Sequence, residues 1–123
     1  MNEITFEKSD KAQIFLDDRE LKSVVAKLLF AKGAVLHSQR LEIGDFILSP
    51  RVGVERKSMA DFEASIIDGR LFAQAQDLAS TFSAPLMCIV GSQATRINPG
   101  AIRGAKISLT VDYRIPVLQF EDD

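Results

Sequence analysis

Two stretches of this chain are apolar and too short to be anything but buried strands. They are Gln13-Ile14-Phe15-Leu16, which ends in acids, and the run Pro85-Leu86-Met87-Cys88-Ile89-Val90. Neither alternates as a half-exposed strand does, and neither reaches the length of a helix. Strands buried on both faces need cover on both, which places them at the centre of a sheet. The cover is written between and after them. Leu21, Val24, Val25, Leu28 and Leu29 recur at helical spacing, and Gly33 follows as a stop. Ser58-Met59-Ala60-Asp61 has the form of a helix start, continued by Phe62 and Ile66 to Asp68-Gly69. Leu71, Phe72, Ala75, Leu78, Ala79 and Phe82 make another amphipathic helix. Asn98-Pro99 caps a last one through Ile102, Ala105 and Leu109. Ala34 to Leu41 and Val117 to Phe120 read as strands. Phe46-Ile47-Leu48 and Val52-Gly53-Val54 flank the turn Ser49-Pro50-Arg51 as a hairpin. The order β-α-β-β-β-α-α-β-α-β predicts an α/β fold: a single domain with a mixed central β-sheet flanked by helices on both faces.

Composition excludes several classes of function. With 123 residues the chain makes one domain with a real core. No apolar run can span a bilayer, and the polar segment 1–12 reads as a flexible leader without the apolar stretch of a signal peptide. The expected location is therefore cytoplasmic, nucleoid-associated in a prokaryote or nuclear in a eukaryote. Cys88 is the sole cysteine and His37 the sole histidine. Disulfides, cysteine-rich zinc sites and Ser-His-Asp or Cys-His catalysis are poor fits. Cys88 reads as a small buried hydrophobe, Met59 and Met87 as core, and His37 as a strand residue without a ligand role. The net charge of −2 argues mildly against nucleic acid. Six acids and two bases lie in the terminal segments, however, and residues 12–120 carry +2.

The acids gather where strands end. Asp17, Asp18 and Glu20 follow the first strand, Asp45 opens the hairpin, and Glu55 closes it ahead of Arg56 and Lys57. A hairpin turning near Pro50-Arg51 sets Asp45 across from Glu55 at its open end. Alternation puts Glu55 and Lys57 on one face and Arg56 on the other. Two carboxylates and a lysine on one face are the minimum for Mg²⁺-dependent hydrolysis: a hard cation takes oxygen ligands, and an ammonium stabilises charge on a phosphate. Residue types and spacing also allow a second reading, a solvated salt-bridged surface.

Gly44-Asp45, nine intervening residues and then Glu55-Arg56-Lys57-Ser58-Met59-Ala60-Asp61 resembles the GD…ERKxxxD signature of the XPF/Hef structure-specific endonucleases. These are a branch of the PD-(D/E)xK nucleases, with a restriction-endonuclease-like fold. Phe15-Leu16-Asp17-Asp18-Arg19-Glu20, Ile67-Asp68-Gly69-Arg70-Leu71-Phe72 and Asn98-Pro99-Gly100-Ala101-Ile102-Arg103-Gly104 resemble further family segments, so the likeness runs from about residue 13 to 120. It implies an Mg²⁺- or Mn²⁺-dependent cut in DNA near branches such as 3′ flaps and forks, in repair or fork processing. It also implies a metal set of Asp45, Glu55, the Arg56 main-chain carbonyl and Asp17. Lys57 is the implied catalytic lysine, and Asp17, Arg19 and Glu20 are supporting groups. Asp18 falls at the variable position and reads as a solvated neighbour. The pattern requires Arg56 and Asp61, but with open roles: Arg56 contacts DNA backbone or locks Asp61, and Asp61 orients the basic pair or accompanies the Ser58 cap.

Arg70, Arg96, Arg103, Lys106 and Arg114 are candidate phosphate contacts against a default of solvated surface. Arg70 stands out beside the motif helix, and Arg56, Arg70 and Arg103 are the expected DNA contacts. Gly100 and Gly104 permit close packing of the late helix, on its own sheet or on a second subunit. The resemblance implies a homodimer, with residues 99–120 as the expected interface. Family members usually continue into a helix-hairpin-helix domain. The expectation here is a nuclease domain over 13–123 without it, and hence weak, salt-sensitive DNA binding. A non-catalytic scaffold subunit is the alternative, and its mark would be missing motif acids. A restriction-type or Holliday-junction nuclease is more remote, since it has no ERKxxxD requirement.

Overall fold

The computed structural model describes residues 4–6, 11–91 and 96–122. Most of the leader (1–3 and 7–10) lies outside them. β1 (Gln13–Asp17) and α1 (Val24–Ala31) are followed by β2 (Val35–Gln39) and the hairpin β3 (Phe46–Ile47) and β4 (Val52–Ser58). Then come α2 (Met59–Ile67), α3 (Leu71–Thr81), β5 (Ala84–Val90), α4 (Pro99–Val111) and β6 (Val117–Phe120). This is the expected order of elements. The six strands form one mixed sheet, β2-β1-β3-β4-β5-β6. β1–β2, β4–β5 and β5–β6 pair in parallel, while β3 is antiparallel to both neighbours. The two apolar strands are both interior. The exact middle belongs to the hairpin, because β3 and β4 pair outward to β1 and β5.

The sheet separates two cores. The larger packs Phe15, Ile47, Met87 and Ile89 against Phe62, Leu71, Leu78, Ile102 and Leu109 of α2, α3 and α4. The smaller packs Ile14, Leu16, Phe46 and Val54 under α1. Phe82 lies flat on Gly53, where a Cβ would sit 2.2 Å from the ring. The hairpin strand therefore approaches the α3 end more closely than any side chain would allow. In the segment read as a leader, Ile4 and Phe6 pack on the larger core, and the Phe6 ring meets Phe15 edge-on at 5.1 Å. That apolar pair gives this part of the segment a docking point.

Helix ends follow their local chemistry. Ser23, Ser58 and Asn98 each accept the N–H three residues on, at 3.1, 3.1 and 2.9 Å. α1 departs from its expected face. Val25, Ala26 and Leu29 turn inward, whereas Leu21, Val24 and Leu28 stay exposed. Seven of its eight residues are apolar, so periodicity does not select a face, and the sheet does. Met59 and Met87 are core. Cys88 is half-buried, with burial raising its thiol pKa. His37 stacks on Phe15 and bonds Gln13 through Nε2 at 2.7 Å. Among the described residues no helix is long and apolar enough to cross a membrane.

Candidate active site

The hairpin register pairs Phe46 with Val54, which sets Asp45 across from Glu55 at the open end. The Asp45 N–H donates to the Val54 carbonyl at 2.8 Å, and Asp45 Oδ2 accepts the Arg56 N–H at 2.8 Å. The Asp45 side chain thus extends the ladder just ahead of the first residue of β3. An extended residue points its N–H and C=O to the same side, so the Arg56 carbonyl also faces Asp45. Glu55 and Lys57 share one face of β4. Arg56 points to the other, into a groove of about 290 Å³ with Val25, Leu29, Leu86, Cys88, Val90 and Phe120 among its walls.

Asp17 closes the site from β1. It is fully buried, with Oδ1 accepting the Leu41 N–H at 2.8 Å and Oδ2 accepting the Arg19 N–H and Nε at 2.9 and 2.6 Å. The Arg19 hydrogen bond, with the two main-chain donors, holds this carboxyl well below the usual range against the cost of burial. The Asp17 N–H also donates to the Asp45 carbonyl at 2.9 Å, so one residue ties β1, the loop before β3 and the site together. Asp18 is exposed and accepts the Ser38 hydroxyl at 2.8 Å, as a solvated neighbour would.

Asp45 and Glu55 are strained in the opposite sense. Burial raises the pKa of Asp45, opposed by the Arg56 N–H, Arg19 and Lys57. Burial and then the Asp45 charge push Glu55 up to about 7, opposed by Lys57 and Arg19. No hydrogen bond or ion pair joins the Glu55 carboxylate or the buried Lys57 amine to a described residue, and Glu20 adds repulsion at Glu55. Two half-buried carboxylates that repel each other are what a divalent cation would neutralise. Among the described residues no three carboxylate, imidazole or thiol side chains group for a metal. A cation here would rest on two carboxylates and main-chain oxygen.

The structure therefore gathers Asp17, Arg19, Glu20, Asp45, Glu55 and Lys57. Ser58 caps the Asp61 N–H. The Asp61 charge reaches Arg70 and favours the helix N-terminus. On α4, Arg103 is exposed, and Lys106 bonds Gln119 of β6. Arg114 is in the turn after α4, at φ 56°. Two acids that the motif does not mark also have defined work. Glu63, buried on α2, accepts the N–H groups of Arg96 and Ile97 at 2.6 and 3.2 Å. Asp68 clamps Arg70. The sequence signal for Asp68 is an Asp-x-Arg turn, and for Glu63 an acid on the apolar face of a helix.

A mixed α/β sheet with two carboxylates and a lysine at the mouth of its central hairpin defines a nuclease-type domain. The ERCC4 domain matches residues 16–123, and the chain belongs to the ERCC4 domain family, that of the XPF-type structure-specific DNA repair endonucleases. It is 41% identical, over 86% of its length, to a Methanocaldococcus jannaschii protein that carries the name of an ATP-dependent RNA helicase, and covers 13% of that protein. It is 32% identical to the 3′-flap repair endonuclease Xpf of Saccharolobus solfataricus, over 89% of this chain and 49% of the relative. The structure of XPF from Aeropyrum pernix in complex with DNA superposes with a TM-score of 0.84 at 31% identity, over 91% of this chain and 57% of that one. The chain thus spans about half or less of the curated relatives' lengths.

Proposed function

We propose that this domain hydrolyses a phosphodiester bond in DNA near a branch, such as a 3′ flap or fork, in repair or fork processing, with Mg²⁺ or Mn²⁺. The observation that carries the reading is the half-buried, mutually repelling pair Asp45 and Glu55 with Lys57 on the same face. Asp45, Glu55 and the Arg56 carbonyl would hold the ion, with Asp17 orienting this set from behind through Arg19 and Leu41. When bound, the ion supplies an activated water and neutralises phosphate charge. Lys57 stabilises the negative charge that builds on the phosphate oxygens, and Arg19 adds a second cation at the carboxylate end. Arg56, Arg70 and Arg103 are the proposed backbone contacts. The scaffold alternative loses ground because Asp45, Glu55 and Lys57 are all present and adjacent.

The test is cleavage of labelled flap, fork and linear duplex DNA with Mg²⁺, Mn²⁺ or a chelator. Branch-selective cutting that the chelator blocks is expected. Binding without cutting under every metal condition would establish the scaffold reading instead. We further propose a homodimer through residues 99–120. In support, Ile107 and Val111 are exposed one turn apart on α4, and Leu118 and Phe120 are exposed on the edge strand β6. Sedimentation should give a dimer mass that Ile107→Asp shifts to monomer. A monomer mass at all concentrations removes the interface.

A further inference from the structure

Two arginines in this domain are held in the same way. In each case an aspartate two residues upstream accepts the arginine's own N–H and its Nε. Asp17 Oδ2 does so at 2.9 and 2.6 Å. Asp68 Oδ1 does so at 3.2 and 2.8 Å, and Asp68 Oδ2 adds a contact of 2.7 Å to Nε. The clamp occupies one edge of each guanidinium, and no hydrogen bond joins the Nη nitrogens of either arginine to a described residue. The Arg19 charge acts on Asp45 and Glu55. Gly69, at φ +81°, turns the chain between α2 and α3 and delivers Arg70. The Lys57 charge reaches Asp68, and the Asp61 charge reaches Arg70. Arg19 thus acts at the Asp45 and Glu55 carboxylates, and the Asp68–Arg70 pair lies within electrostatic reach of Lys57 and Asp61.

We propose that Asp68 is a positioning residue that presents the Nη edge of Arg70 to a DNA phosphate beside the one that is cut, as a counterpart of the Asp17–Arg19 clamp. The proposal rests on the endonuclease reading and adds a residue that reading leaves without a role. An arginine whose Nε is taken keeps a planar two-nitrogen fork, the geometry that phosphate accepts in bidentate fashion. Arg70 and Asp68 are 55% and 47% exposed, and exposed ion pairs do little for folding. The effect of the clamp therefore lies in its aim. Holding the side chain before DNA arrives removes the ordering cost from binding.

The test is a double-mutant cycle on the full chain, read as Kd for a labelled 3′ flap in chelator and as KM and kcat with Mg²⁺. Arg70→Ala should weaken binding roughly tenfold and lower the salt slope by about one. Asp68→Ala should weaken it roughly three- to tenfold, carried in KM rather than kcat, with the thermal midpoint unmoved. The double variant should match Arg70→Ala alone, since the clamp has nothing left to hold. Asp68→Asn keeps the Oδ1 acceptor and should stay near wild type. Additive single effects, or unchanged binding in Asp68→Ala, overturn the proposal. So does tighter binding in Asp68→Ala, the result expected if this carboxylate merely repels DNA. A wild type that neither binds nor cuts any DNA rejects the endonuclease reading itself, which separates the two failures.

Discussion

Glu55→Gln is expected to abolish cleavage, by roughly a thousandfold or more, while making the metal-free domain more stable at neutral pH. Losing activity and gaining stability together distinguishes a strained functional carboxylate from a surface one. In the folded state burial and Asp45 raise Glu55 to about 7 from 4.5. Between those values the folded protein holds a proton that the unfolded chain has released, so stability falls as pH rises through this window. The loss is of the order of 2 kcal/mol after discounting for partial exposure. Asp45, raised by burial, adds to the same slope. Asp17 is ionised in both states over this range and adds nothing. Urea midpoints at pH 5 and pH 8 should fall for wild type and stay nearly level for Glu55→Gln. Asp45→Asn and Lys57→Ala should also lose cleavage while folding and DNA binding are nearly intact. Activity surviving in any of the three would remove the site assignment.

Asp17→Ala is expected to cost about 2–4 kcal/mol, because a buried carboxylate with three N–H donors is lost and the Leu41 N–H is left without its partner. Cleavage should fall as well. Asp17 sets the loop that carries Asp45 and pins Arg19 beside the carboxylates, so catalysis and stability fail together here, unlike at Glu55. The acid limb provides a second reading. The Asp17 carboxyl is held below its unfolded value, so its contribution is present above about pH 4 and lost as pH falls below it. Asp17→Ala should flatten that limb. Asp17→Asn keeps one acceptor and should fall between the two. Unchanged chemical denaturation at pH 7 would refute the latch.

Much of the architecture was legible because punctuation and period agree locally. Gly33, with φ +93°, ends α1 as expected. Ser58 and Asn98 open α2 and α4, and Ser49-Pro50-Arg51 turns the hairpin. The Asp45–Glu55 pairing was legible too, because a hairpin of known turn fixes its own register and alternation then separates Lys57 from Arg56. The face that α1 buries was not, since Leu21, Val24 and Leu28 are as apolar as the residues that won. The work of Glu63 and Asp68 was not legible either. An acid on a mostly apolar helix and an Asp-x-Arg turn each have a solvated reading that letters cannot dismiss.

By itself the amino-acid order determined which segments are strands and helices, the order in which they follow, and which face of β4 carries the charged pair. These depend on neighbours a few residues apart. The tertiary structure alone decided that Asp17 is a buried latch bonded to Leu41, that Glu55 holds its proton near neutrality, and that Asp45 caps the Arg56 N–H just ahead of β3. Burial, desolvation and charge proximity arise only when segments distant along the chain pack together, and they set what each carboxylate does.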